Sequence, residues 1–105
     1  MRKKGIFVAN KQIELALLVT TAKGVFFGYV DERPTTKTRE IWLKRARCCV
    51  FWGSNVKGFL GLASHGPNSS CRIGPPVDEL LINEITSIAI VSASAAKAWE
   101  VAPWR

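Results

Sequence analysis

Two stretches rich in aliphatic, β-branched and aromatic residues, 13–20 and 25–30, stand four residues apart, a spacing for which a β-hairpin is the simplest way to bury both. Glu14 is the only charge in the first stretch, and Val25-Phe26-Phe27-Gly28-Tyr29-Val30 has none. The joining residues 21–24 end in Gly24, which supplies a residue free to adopt positive φ. A sheet is therefore predicted as the frame of the molecule, and residues 31–38, densely charged and containing Pro34, are predicted to leave it as an exposed loop.

From 40 to 52 the alternation resumes but changes phase. Ile41 and Leu43 alternate with Trp42 and Lys44, whereas Ala46, Cys48, Val50 and Trp52 form a second alternating set. A strand keeps one face inward only while its phase is continuous, so a bulge or break is predicted near Lys44 and Arg45, projecting Arg45 or Arg47 outward. Beyond it, Val56, Phe59, Leu60 and Ala63 recur at helical spacing, with Ser54 as the expected N-cap and Gly66-Pro67 as the stop. Gly58 and Gly61 weaken that helix intrinsically, which points to close packing against the sheet. Residues 67–76 read as a loop anchored by Cys71 and Ile73. Residues 80–91 read as one long or two short strands divided at Asn83-Glu84, and Ser94 is expected to cap a last helix through Trp99.

No internal repeat is present, and 105 residues suit one core. The predicted class is α+β: a curved antiparallel sheet or partly open β-barrel with two short helices, residues 1–11 forming a basic N-terminal arm and 12–105 a single domain. Charged residues interrupt every apolar run, so no membrane span is expected. The opening Met1-Arg2-Lys3-Lys4 is similar to a signal-peptide n-region, but the apolar stretch before Lys11 is too short, and secretion is not expected. Three cysteines, two of them adjacent, suit reduced thiols in the cytoplasm better than a disulfide framework.

The chain carries fifteen Lys and Arg against eight Asp and Glu, a net +7. Residues 1–57 hold twelve of the cations and four of the acids. Such asymmetry predicts a positive face that attracts phosphate-bearing partners and weakens with salt; a solvated surface that keeps the protein soluble is the alternative.

No catalytic constellation accompanies this charge. His65 is the only histidine, without a second ligand at metal-binding spacing, so no metal and no cofactor are expected. Pairing of His65 with Cys49 or Cys71 lacks any local signature of an activated thiol; the cysteines read as core residues and His65 as a helix-end cation. No spaced carboxylate pair and no phosphate-cradling glycine loop appear, so the chain is not expected to be an enzyme.

The functional candidate is Lys44-Arg45-Ala46-Arg47 with Trp42 before it and Trp52 after it. Guanidinium groups grip phosphate bidentately and indoles stack on bases, which suits a nucleotide or a single strand. Lys57, His65 and Arg72 join the predicted ligand site if the helix and following loop cross the sheet there. The competing reading places Trp52 in the core and the cations on a solvated strand face.

The series Gly24-Val25-Phe26-Phe27-Gly28-Tyr29, Ile41-Trp42-Leu43-Lys44-Arg45-Ala46-Arg47, Val50-Phe51-Trp52, Leu60-Gly61-Leu62-Ala63, Cys71-Arg72-Ile73, Leu81-Ile82-Asn83-Glu84-Ile85 and Val101-Ala102-Pro103-Trp104 resembles a family of small phage and prophage proteins of unknown function. Cys48-Cys49 departs from it, standing where bulkier or basic residues are expected. The resemblance implies a phage accessory protein made in the host cytoplasm and no known activity. The expected function is non-enzymatic binding of an anionic small molecule or nucleotide by a homo-oligomer, sequestering a cyclic-nucleotide signal of host defence; the alternatives are a nucleic-acid-binding module and an inhibitor of a host protein.

Overall fold

The computed structural model describes residues 14–104, so the predicted arm, 1–11, lies outside the described residues. The hairpin forms as expected from β1 (Leu15–Thr21) and β2 (Gly24–Val30), antiparallel with Thr21 opposite Gly24. Gly24 does not serve as a left-handed turn residue: it is the first residue of β2, and neither Ala22 nor Lys23 has positive φ. Lys23 N–H donates to the Thr21 hydroxyl at 3.0 Å and steadies the turn.

β3 (Glu40–Phe51) pairs with β2 along one edge. Along the other it pairs with β4 (Arg72–Ile73) and β5 (Val77–Asn83). β4 falls in the stretch predicted to be loop. It and β5 form an interrupted strand, broken at Gly74-Pro75-Pro76, where two residues in succession have no N–H for a ladder. Glu84, in the left-handed region at φ 54°, turns the chain in a single residue from β5 to β6 (Ile85–Ile90), which pairs with β1. The order is β4-β3-β2-β1-β6, with β5 also on β3: an antiparallel sheet, curved and not closed. With its two helices this is the α+β architecture the sequence predicts.

Both faces of the β1–β2 hairpin are covered. Leu17, Val19, Leu43 and Ile82 belong to a core drawn from strands alone, the concave side of the sheet. Leu18, Phe27 and Ile73 face the helices and pack with Leu62 and Trp99. Trp99 is fully buried, stacks on Phe27 at 5.0 Å and donates its indole N–H to the Leu62 carbonyl at 3.1 Å.

The helix boundaries differ from expectation. Ser54 opens a 3-10 turn, Ser54–Val56, and makes no side-chain cap; α1 is Gly58–Ser64, entered through Lys57 at φ 65° and Gly58 at φ 70°. A Cβ on Gly58 meets nothing within 4 Å, so its role is the backbone angle, whereas one on Gly61 would sit 1.5 Å from the Val56 carbonyl oxygen. That close approach is to the preceding turn and not to the sheet. α2 is Ala93–Val101, and Ser92, two residues before the expected cap, accepts from the Ala95 N–H at 3.1 Å.

Candidate functional site

The predicted break in β3 occurs where the phase changes. Arg45 lies in the left-handed region at φ 50°, and the β2 register shifts between Phe27 opposite Arg47 and Tyr29 opposite Lys44. Gly28 sits across from the extra residue, where a Cβ would come within 2.7 Å of the Leu43 Cβ. The bulge is a device that re-aims side chains, and it sends Arg45 and Arg47 to the face that carries the helices.

Arg45 is the outward one. Its guanidinium lies 4.3 Å from the centre of the Tyr29 ring and pairs with the Glu14 carboxylate at 2.6 Å. The hydrogen bond from Arg45 is the main reason the Glu14 carboxyl titrates below its ordinary range, and the same bond raises Arg45.

Arg47 does not project outward; it is 5% exposed. Its Nε donates to the Gly74 carbonyl at 2.8 Å, and Nη1 donates to the Trp99 and Ala102 carbonyls at 2.8 and 2.7 Å. The cation thus closes the C-terminal end of α2, where unpaired carbonyls concentrate negative potential. Burial pushes its pKa down, but a guanidinium keeps its charge. Nη2 is buried with no acceptor among the described residues.

Both arginines line a 510 Å³ cleft with Phe27, Tyr29, Pro76, Val77, Asp78 and Glu100. The Tyr29 hydroxyl donates to the Glu100 carboxylate. Burial, together with that bond and the nearby negative charge, holds the phenol well above its ordinary pKa, so it stays a donor at neutral pH. Convergent polar groups on partly apolar walls are the usual makings of a ligand site.

The other predicted site residues do not converge here. Trp42 is 59% exposed and lines a separate 650 Å³ cavity beside Asp31 and Arg33. Lys44 pairs with Asp31 at 2.7 Å, a contact that raises its pKa. Trp52 packs, half-buried, against the helix-side core. Lys57 is exposed at the entry to α1, His65 is exposed at its end beside the Ser64 hydroxyl, and Arg72 is exposed on β4. None of these three lines the cleft. The predicted constellation therefore divides: two arginines share the cleft, and the indoles lie elsewhere.

Tyr29, Asp78 and Glu100 were missed as site residues. Tyr29 carried a readable signal, because a tyrosine on the buried face of an apolar strand needs a partner for its hydroxyl. Its partner is 71 positions away in the sequence, beyond the reach of local patterning. Cys49 and Cys71 are buried in the helix-side core, and burial pushes the Cys49 thiol up to about 12, far from a reactive thiolate.

Residues 14–99 match the profile of a family described as a domain of unknown function, DUF6948. The chain belongs to the DUF6948 family. The match spans the hairpin, the β3 bulge and α2 through Trp99, and so takes in every lining residue of the cleft except Glu100. No curated protein and no solved structure matches the chain. No helix among the described residues is long and apolar enough to cross a membrane.

Proposed function

We propose that this DUF6948 domain binds, without catalysis, a compact ligand bearing a single negative charge, in the cleft beneath Arg45 and Arg47. The observation that carries this reading is the buried Arg47 guanidinium, which lines the cleft and has one nitrogen without an acceptor among the described residues. An unpaired buried donor is costly, and a ligand oxygen relieves it if a small opening of the cleft wall brings it to Nη2, which is sealed from solvent in this structure. Asp78 and Glu100 on the same walls oppose a polyphosphate, while a phosphodiester or carboxylate presents one diffuse charge. A cyclic mononucleotide meets that requirement, and the volume lies in the usual range of about 300–1,000 Å³ for small-molecule sites. On this reading the protein acts by sequestration, as an accessory protein of phage origin would in the cytoplasm of its host; support for that origin comes from the sequence resemblance alone. Calorimetric titration of the full chain against cyclic and linear mononucleotides tests it. Heat is expected with a cyclic mononucleotide and is expected to vanish in Val77→Trp, which fills the cleft from a partly exposed position. Absence of heat across the panel, or unchanged binding by V77W, refutes the proposal.

The distribution of charge favours a second reading, nucleic-acid binding through the N-terminal residues. Arg2, Lys3, Lys4, Lys11 and Arg105 lie outside the described residues, leaving ten cations against eight carboxylates in 14–104. Lys44 and Arg45 of those ten are paired with acids. On this reading, binding to a short oligonucleotide falls steeply with salt and disappears when residues 1–11 are removed; retention after removal refutes it.

A further inference from the structure

The two strands that flank the hairpin and β3 are protected differently. β5 follows Pro75-Pro76 and carries Asp78 and Glu79, features that discourage an edge from pairing with another chain. β6, Ile85–Ile90, reads ITSIAI: no charge, no proline, and among the described residues no strand partner other than β1. Its one irregularity, the register shift between Thr20 and Thr21, lies at its first residues, so the remainder presents a regular free edge.

We propose that β6 is a self-association edge, on which a second copy of this chain lays its own β6 antiparallel about a two-fold axis. Electrostatics selects that occupant. A chain of net +7 repels its copies wherever their cations meet, but self-pairing of an uncharged strand sets no cation against another. An acidic partner drawn by the +7 finds no cation on this edge to meet. Antiparallel pairing centred on Ala89, which then faces its own copy, is self-complementary, as a two-fold interface requires, and sets Ile90, 44% exposed, against the partner's Ile88 on the same face of the sheet. The backbone groups of the edge then gain acceptors and donors, and the two sheets become continuous.

Sedimentation equilibrium of the full chain from micromolar to near-millimolar concentration tests this, with hydrogen exchange of the β6 amides measured over the same series. A reversible dimer is expected, with β6 amides more protected as concentration rises. Ile90→Lys is expected to weaken it by about tenfold or more, while Leu60→Lys, on an exposed site of α1, leaves it unchanged. A monomer at every concentration overturns the proposal, as does equal weakening by L60K. So does β6 protection independent of concentration, which places the cover within one chain, residues 1–13 included. If I90K fails to fold, the wild-type exchange series decides alone.

Discussion

Replacing Arg47 with methionine removes the contact between the β3 bulge and the end of α2 while keeping most of the side-chain volume. Three carbonyls, of Gly74, Trp99 and Ala102, lose their donor. A hydrogen bond from a charged group contributes about 1.5–3 kcal/mol, so the three together come to roughly 6 kcal/mol. Against this stands relief of a buried cation with one unpaired nitrogen, a desolvation term of about 2–3 kcal/mol. The expected net loss is about 3–4 kcal/mol. For a domain of this size the urea dependence is about 1–1.5 kcal/mol/M, so the unfolding midpoint of Arg47→Met should fall by about 2–3 M with unchanged slope. Amide exchange in the last turn of α2 should accelerate in the same variant. Arg47→Lys should fall between, because a single ammonium cannot span donors set for a fork. A midpoint within about 0.3 M of wild type in R47M refutes the reasoning, for it means that the three carbonyls are satisfied without the arginine.

The Tyr29 hydroxyl makes a second, pH-dependent contribution. Its folded pKa lies above the ordinary 10.0, so the neutral form is favoured in the native state; the stabilisation is complete below pH 10 and declines as pH climbs towards the folded value. Tyr29→Phe should therefore lose about 1 kcal/mol near neutrality and show a smaller alkaline decline in chemical denaturation; identical pH profiles for the two proteins contradict this. The glycines of α1 should separate by mechanism. Gly61→Ala places a Cβ 1.5 Å from the Val56 carbonyl oxygen and should unfold or severely destabilise the protein, whereas Gly58→Ala meets open space but must hold φ 70° and should lose about 1 kcal/mol in thermal unfolding. Equal losses at the two positions contradict the assignment.

Most of the fold was legible because it is written in local alternation. The hairpin, the bulge in β3 and the division at Asn83-Glu84 all follow from a period of two and the places where it falters. Helix starts were less legible, since Ser54, Ser92 and Ser94 are all competent caps and tertiary packing chooses among them. β4 has two residues and owes its existence to the edge of β3 beside it, so no pattern of its own announces it. The site was half legible. Arginine flanked by aromatics drew attention to the right strand, but Trp42, although on the same face as the arginines, stands before the bulge and lines another cavity, and Trp52 lies past the end of β3 against the helix-side core, so neither indole lines the cleft. The acids that complete the network, Glu14 and Glu100, arrive from the start of β1 and the end of α2, a convergence that only the closed fold supplies.

The bulge explains why a run of basic residues can sit in the middle of a central strand at all. Continued without interruption from Ile41 and Leu43, the alternation would carry Arg45 and Arg47 into the concave core, among Leu17, Val19 and Ile82, where two unpaired guanidinium groups are far too costly to bury. One residue in a left-handed conformation, at roughly 1 kcal/mol of backbone strain, exchanges them for Ala46 and turns both towards the helices. There Arg45 finds Glu14 and the Tyr29 ring, and Arg47 finds the carbonyls that end α2. The strain is thus confined to a single position opposite Gly28, and the same distortion that protects the core assembles the walls of the cleft. A sequence that breaks its own pattern at a point where the chain could have been regular marks the place where packing alone does not dictate the residues, and here that place holds both arginines of the cleft.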